Sequence, residues 1–157
     1  MTPNEFKIAC RKSFSFLIEN YNFREEPLPK EKYINEFQVR FITAKTRISI
    51  EGINWGFNID IRISSINPDE MKHKSYCFND LLALRNAKVE YPEPRGKTLS
   101  GEIQIKQMQA YATALKKYAE DILQDDHTIF PSLAECIDKR VIEFEKEQKK
   151  SLIRRFT

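Results

Sequence analysis

The 157-residue chain has little of what most catalytic and metal centres are built from. It has two histidines, His73 and His127, which leaves little scope for imidazole acid–base chemistry. Its three cysteines, Cys10, Cys77 and Cys136, are odd in number, far apart and form no CxxC pair. That suits neither a disulfide framework nor a zinc site, so reduced thiols filling core gaps are expected. The four glycines, at 52, 56, 96 and 101, form no phosphate-cradling loop, and no GxSxG or SxxK flanks a nucleophile. Apolar runs are only a few residues long, too short to span a bilayer. The start, Met1-Thr-Pro-Asn-Glu-Phe-Lys, lacks the apolar stretch of a secretory signal. The expectation is one cytoplasmic domain over residues 1–157 that is not an enzyme and carries no cofactor and no metal.

The net charge of +3 is localised. Residues 138–155 hold seven Lys or Arg (139, 140, 146, 149, 150, 154, 155) against four acids (138, 143, 145, 147), leaving 19 of each sign elsewhere. A balanced body with one basic end is not the signature of a nucleic-acid-binding domain. The basic end, Lys149-Lys150-Ser151-Leu152-Ile153-Arg154-Arg155-Phe156, suits either a solvated helix terminus or a site for RNA phosphates or an anionic surface.

What is present is alternation. Phe37, Val39 and Phe41 alternate with Gln38, Arg40 and Ile42, and Ile48 and Ile50 alternate with Arg47, Ser49 and Glu51. Within Glu51–Ser64, taken as a third strand, Trp55, Phe57, Ile59, Ile61 and Ile63 alternate with Gly56, Asn58, Asp60 and Arg62. A period of two puts one set against a core and the other outward. Connections of a few residues make the strands antiparallel neighbours. Lys72–Phe78 is a candidate fourth strand, and residues 22–35, with Pro27 and Pro29, read as a connecting loop.

Helices flank this sheet. Thr2-Pro3-Asn4-Glu5 is a capping box, followed by the stripe Phe6, Cys10, Phe14, Leu17, Tyr21. Asn79 would cap a short helix through Arg85 that buries Leu81, Leu82 and Leu84. Residues 86–99 read as a loop. Ile105, Met108, Ala112, Leu115, Ala119 and Ile122 step through a helix over roughly 100–124. Pro131 opens a last helix with Leu133, Ile137, Val141 and Phe144 inward, fraying over 146–157. The fold predicted is α+β: an N-terminal helix, a three- to four-stranded antiparallel meander, and C-terminal helices packed on one sheet face.

Asp125-Asp126-His127 reads as a helix-connecting loop rather than a metal cluster, and His73 as an exposed polar residue. Glu25/Glu26 and Glu143/Glu147 fall on solvated segments. The outward sheet face, with Arg40, Arg47, Ser49, Glu51, Asn58, Asp60 and Arg62, is the candidate partner-binding surface. Its two readings are cross-strand charge pairing and recognition of a protein partner.

The runs Asn35–Phe41, Glu51–Ile63, Tyr118-Ala-Glu-Asp-Ile-Leu123 and Phe130-Pro-Ser-Leu133 resemble small bacterial immunity proteins of contact-dependent growth inhibition and related polymorphic-toxin systems. The resemblance covers roughly residues 3–140. It implies a cytosolic, non-enzymatic protein that binds a cognate toxin domain, often a nuclease, and blocks its active site, with neither membrane nor nucleic acid as a direct partner. Inhibitors of basic nucleases are often acidic and this chain is slightly basic, which leaves the class of toxin open. The alternatives are an RNA-associated accessory protein using the basic end and an enzyme assembled from scattered residues. The sequence leaves the oligomeric state open.

Overall fold

The fold begins at the capping box. Glu5 N–H donates to Thr2 Oγ1 at 3.2 Å and Thr2 N–H to the Glu5 carboxylate at 2.8 Å, opening helix α1 (Pro3–Ser13). The chain breaks at Phe14 and resumes as α2 (Ser15–Tyr21), ending on Asn22 in the left-handed conformation. The predicted stripe spans both helices: Phe6, Cys10, Phe14 and Leu17 are fully buried and Tyr21 is partly so. This computed structural model describes residues 1–29, 35–53, 56, 58–90 and 101–156.

Among these, five strands form one antiparallel meander in chain order: β1 (Arg24–Glu26), β2 (Gln38–Ile42), β3 (Thr46–Ile53), β4 (Asn58–Ser65) and β5 (Tyr76–Cys77). The fold class is the α+β one predicted, with more strands. β1 lies in the segment read as a loop, and β5 is only two residues of the proposed Lys72–Phe78 strand. The strand drawn over Glu51–Ser64 is two. Glu51–Ile53 ends β3, and Asn58–Ser65 is β4 paired back upon it. Trp55 and Phe57 lie outside the described residues.

The turn between these strands depends on close backbone approach. A Cβ on Gly52 would stand 2.8 Å from Gly56 Cα and 2.9 Å from the Phe6 ring, and Gly56 has φ +82°, a conformation that favours glycine. Phe6 and Phe37 pack edge-to-face above it, ring centroids 5.6 Å apart.

Val39, Phe41, Ile48, Ile50, Ile59, Ile61, Ile63 and Tyr76 of the sheet join the helical apolar residues in a single core. Helix α3 (Phe78–Leu84) starts one residue before the predicted cap and buries Phe78, Leu81 and Leu82, whereas Leu84 is exposed. The predicted 100–124 helix is α4 (Gly101–Tyr118) followed, after a break at Ala119, by α5 (Glu120–Leu123). Of the expected stripe, Met108, Ala112, Leu115, Ala119 and Ile122 are buried as predicted and only Ile105 is not. Gln104, Gln107 and Tyr111 are buried as well. Gln104 is accommodated because its Nε2 donates to the Gly56 carbonyl at 3.2 Å, although its Oε1 has no partner among the described residues. Arg85 binds Asp121 through two hydrogen bonds, 2.9 and 2.6 Å, and donates to the Tyr118 carbonyl, tying the end of α3 to the α4–α5 junction.

Helix α6 (Phe130–Phe156) departs most from expectation. Phe130, Leu133 and Ala134 are buried and Ile137 is partly buried, but Val141 and Phe144, predicted inward, are 49% and 62% exposed. Where fraying was predicted beyond Lys146, the helix continues to Phe156. Every residue from Lys139 to Phe156 is exposed. At 1.5 Å rise per residue, the 16 residues after Arg140 extend about 24 Å from the body. Lys72 and His73 on Asp138 (2.6 and 2.9 Å) and Arg140 on Asp80 (2.6 Å) hold the helix where it leaves. His73 is therefore half-buried and bonded rather than exposed.

Candidate partner-binding site

Antiparallel register places directly opposed residues on the same face. Arg40 opposes Ser49, Ser49 opposes Arg62, Glu51 opposes Asp60 and Asn58 opposes Ile53, with Arg47 two residues from Ser49. All seven residues picked from alternation thus lie on the sheet face away from the core. The outer strands extend the rows. Glu26–Arg40–Ser49–Arg62–Cys77 crosses the whole sheet, Gln38–Glu51–Asp60 runs beside it on one side, and Arg24–Ile42–Arg47–Ser64 on the other.

The rows are bonded to one another. Glu26 accepts Arg47 Nε at 3.2 Å and lies 3.6 Å from Arg40 Nη1, so one carboxylate serves two guanidinium groups. Gln38 Nε2 donates to Ser49 Oγ at 2.7 Å and to Glu51 Oε1 at 3.4 Å, and Ser49 Oγ donates to Glu51 at 3.3 Å. Arg62 Nε donates to Ser75 Oγ at 3.0 Å and its Nη1 stands 4.0 Å from Asp60. Asp60 also accepts the Cys77 thiol at 3.6 Å, and burial pushes that thiol up from its ordinary range. The long side chains are a fifth to a third exposed and shield the short ones between them, so Ser49 and Ser64 are buried. Arg40 Nε has no hydrogen-bond partner among the described residues.

The charges are sorted along the strands. One end carries Glu51 and Asp60, and the other carries Arg24, Arg40, Arg47 and Arg62 around Glu26. Glu51 directly opposite Asp60 is a like-charge cross-strand pair, an arrangement that costs a fraction of a kcal/mol. Charge pairing joins Arg40 and Arg47 to Glu26 and Arg62 to Asp60, but it does not account for Glu51 opposite Asp60.

Glu26 is the residue of this candidate face that sequence reasoning missed. Its strand has three residues and starts three positions after the end of α2, in a segment marked as loop by Pro27 and Pro29. Glu25, on the opposite face, binds Arg11 at 2.9 Å.

A second polar group was also missed. Thr43 Oγ1 donates to Asp125 Oδ1 at 2.6 Å, and Thr46 Oγ1 donates to the same oxygen at 2.7 Å. Thr46 Oγ1 also meets His127 Nε2 at 2.7 Å, while His127 Nδ1 faces Glu70 Oε2 at 3.3 Å. With the Thr46 proton on Asp125, the ring nitrogen is the donor to that hydroxyl. The order hydroxyl, imidazole, carboxylate superficially matches a nucleophile with its base. Thr46 is 0% exposed, however, so no substrate carbonyl can reach its oxygen. The group pins the 125–127 loop to the β2–β3 turn, beside a shallow cavity of ≈ 620 Å³ lined by Lys45, Ser65, Glu70, His127 and Thr128 among others. Hydrogen bonds from Ser65 and then His127 hold the Glu70 carboxyl below its usual range.

Among the described residues, no three or more His, Cys, Asp or Glu are arranged to hold a metal ion, and no helix is long and apolar enough to cross a membrane. Comparisons with protein-family models, curated proteins and solved structures find no match.

Proposed function

We propose that this chain is an immunity protein: a stoichiometric, non-catalytic inhibitor whose outward sheet face seats on a cognate bacterial toxin domain and occludes its active site. The observation that carries the reading is the sorted charge of that face, with Glu51 and Asp60 kept directly opposite each other at a cost in stability. A positively charged partner would relieve that cost on binding. Active sites that hold phosphate backbones are positive, so a nuclease toxin fits this end of the face. The arginine end, with Glu26 shared between Arg40 and Arg47, would fix the orientation of the complex and steer encounter. Strand-borne side chains already held by neighbours lose less entropy on binding than those on a mobile segment.

The test is co-expression with the toxin domain encoded beside this chain. Cells that the toxin arrests should be rescued through a one-to-one complex. Arg40→Glu, Asp60→Asn and Arg62→Glu should weaken that complex, and truncation after Lys146 should leave protection intact. Failure to bind any such toxin would overturn the reading. Loss of rescue on truncation, with the sheet substitutions silent, would place the interface elsewhere.

A further inference from the structure

The projecting half of α6 has a well-defined surface chemistry. The stripe that buries Phe130, Leu133 and Ala134 against the body continues beyond Arg140 through Val141, Phe144, Gln148, Leu152 and Phe156 at steps of three, four, four and four. Phe144 is 62% exposed, Leu152 51% and Phe156 86%. A helical segment whose residues are all exposed gains little from packing, and an exposed apolar stripe along it is the kind of surface that marks an interface.

Charge selects the occupant. Residues 141–147 carry Glu143, Glu145 and Glu147 against Lys146, and residues 148–156 carry Lys149, Lys150, Arg154 and Arg155 with no acid. The two halves meet at Gln148, the polar residue in the middle of the stripe. A second copy laid antiparallel about Gln148 sets each acidic half on a basic half and Phe144 over Leu152. A parallel copy would set the basic halves together.

We infer that the projecting half of α6 is a self-association surface that pairs antiparallel, about a two-fold axis near Gln148, with the same segment of a second copy of this chain. Two-fold pairing of one patch with itself is the commonest closed assembly, and Gln148 near the axis would help to fix register. The inference is independent of the toxin reading, since none of the sheet-face residues named above belongs to α6.

The test uses the full chain in sedimentation velocity across a concentration series. A monomer–dimer equilibrium is expected. Phe144→Glu and Leu152→Glu should each abolish the dimer, while unchanged near-ultraviolet circular dichroism shows the body intact, because neither side chain is buried in it. Reversing Glu143, Glu145 and Glu147 to Lys should abolish it as well. In a Cys77→Ser, Cys136→Ser background, Gln148→Cys should cross-link two chains under mild oxidation and Val141→Cys should not. The inference is overturned by a monomer at every concentration, by a dimer indifferent to these substitutions, or by equal cross-linking at 141 and 148, which indicates parallel pairing. A monomer that binds anionic vesicles or single-stranded RNA through its basic half overturns it too and assigns the stripe to that ligand.

Discussion

Neighbouring substitutions at Ile59 and Asp60 test the face assignment. Ile59 is 6% exposed within the core, opposite Gly52, and Asp60 points the other way. Ile59→Asp removes about 1.5–3 kcal/mol of apolar burial and leaves a carboxylate without a partner, adding several kcal/mol more. That rivals the 5–15 kcal/mol total stability typical of a domain, so the variant should be largely unfolded at 25 °C. For Asp60→Asn the contributions oppose. The contact with Arg62 at 4.0 Å is between partly exposed groups and contributes at most about 1 kcal/mol. Removing the charge opposite Glu51 returns about 0.2–1 kcal/mol. The net change should stay within about 0.5 kcal/mol, a Tm shift of roughly 1–2 °C for a chain of this size. Urea titrations followed by far-ultraviolet circular dichroism, at equal m-value, measure both. Asp60→Asn, although folded, should lose affinity for the toxin. Equal destabilisation by the two substitutions would mean that the sheet is covered on both sides, and the recognition face would be lost with it.

Asp125 has φ +64° and accepts from Thr43 and Thr46, so Asp125→Ala should cost about 1–3 kcal/mol in urea unfolding, whereas Asp125→Asn, which keeps an acceptor and tolerates that φ, should cost less. The hydrogen bonds from Arg85 hold the Asp121 carboxyl below its usual range. A native pKa below the unfolded one gives stability that is full above the unfolded value and is lost as pH falls through the native one. Asp121→Asn should therefore flatten the decline in stability between about pH 5 and pH 2, and an unchanged slope would remove that ion pair from the account. Burial pushes the Cys10 thiol far above its ordinary range, so a thiol reagent at neutral pH should modify Cys77 and Cys136 well before Cys10, which should react only on unfolding. Gly52→Ala should destabilise by roughly 1–3 kcal/mol, because its Cβ would meet the Gly56 backbone.

The sequence disclosed the features whose cause is local. The capping box at Thr2, the alternation over Val39–Phe41 and Ile48–Ile50, and the outward placement of Arg40, Glu51, Asp60 and Arg62 follow from spacing and side-chain size, and the structure places them accordingly. Alternation does not mark a hairpin, however, when both its strands alternate. Spacing alone therefore runs Glu51-Gly-Ile53 into the following strand, although Gly52 and Gly56 stand at the turn. The pin of Thr43, Thr46, Glu70, Asp125 and His127 draws on three separate segments, and no local pattern announces it. Gln104 and Gln107 displaced Ile105 from the α4 core because long side chains can be buried once their amides reach a backbone carbonyl, as Gln104 does at Gly56. Helix α6 shows most clearly what spacing leaves undecided. Val141 and Phe144 obey the same period as Leu133, and period alone made them core. A hydrophobic stripe requires burial somewhere, but its spacing does not say against which surface. Among the described residues Val141, Phe144 and Leu152 take no part in the core, and the self-association inferred above would supply their burial.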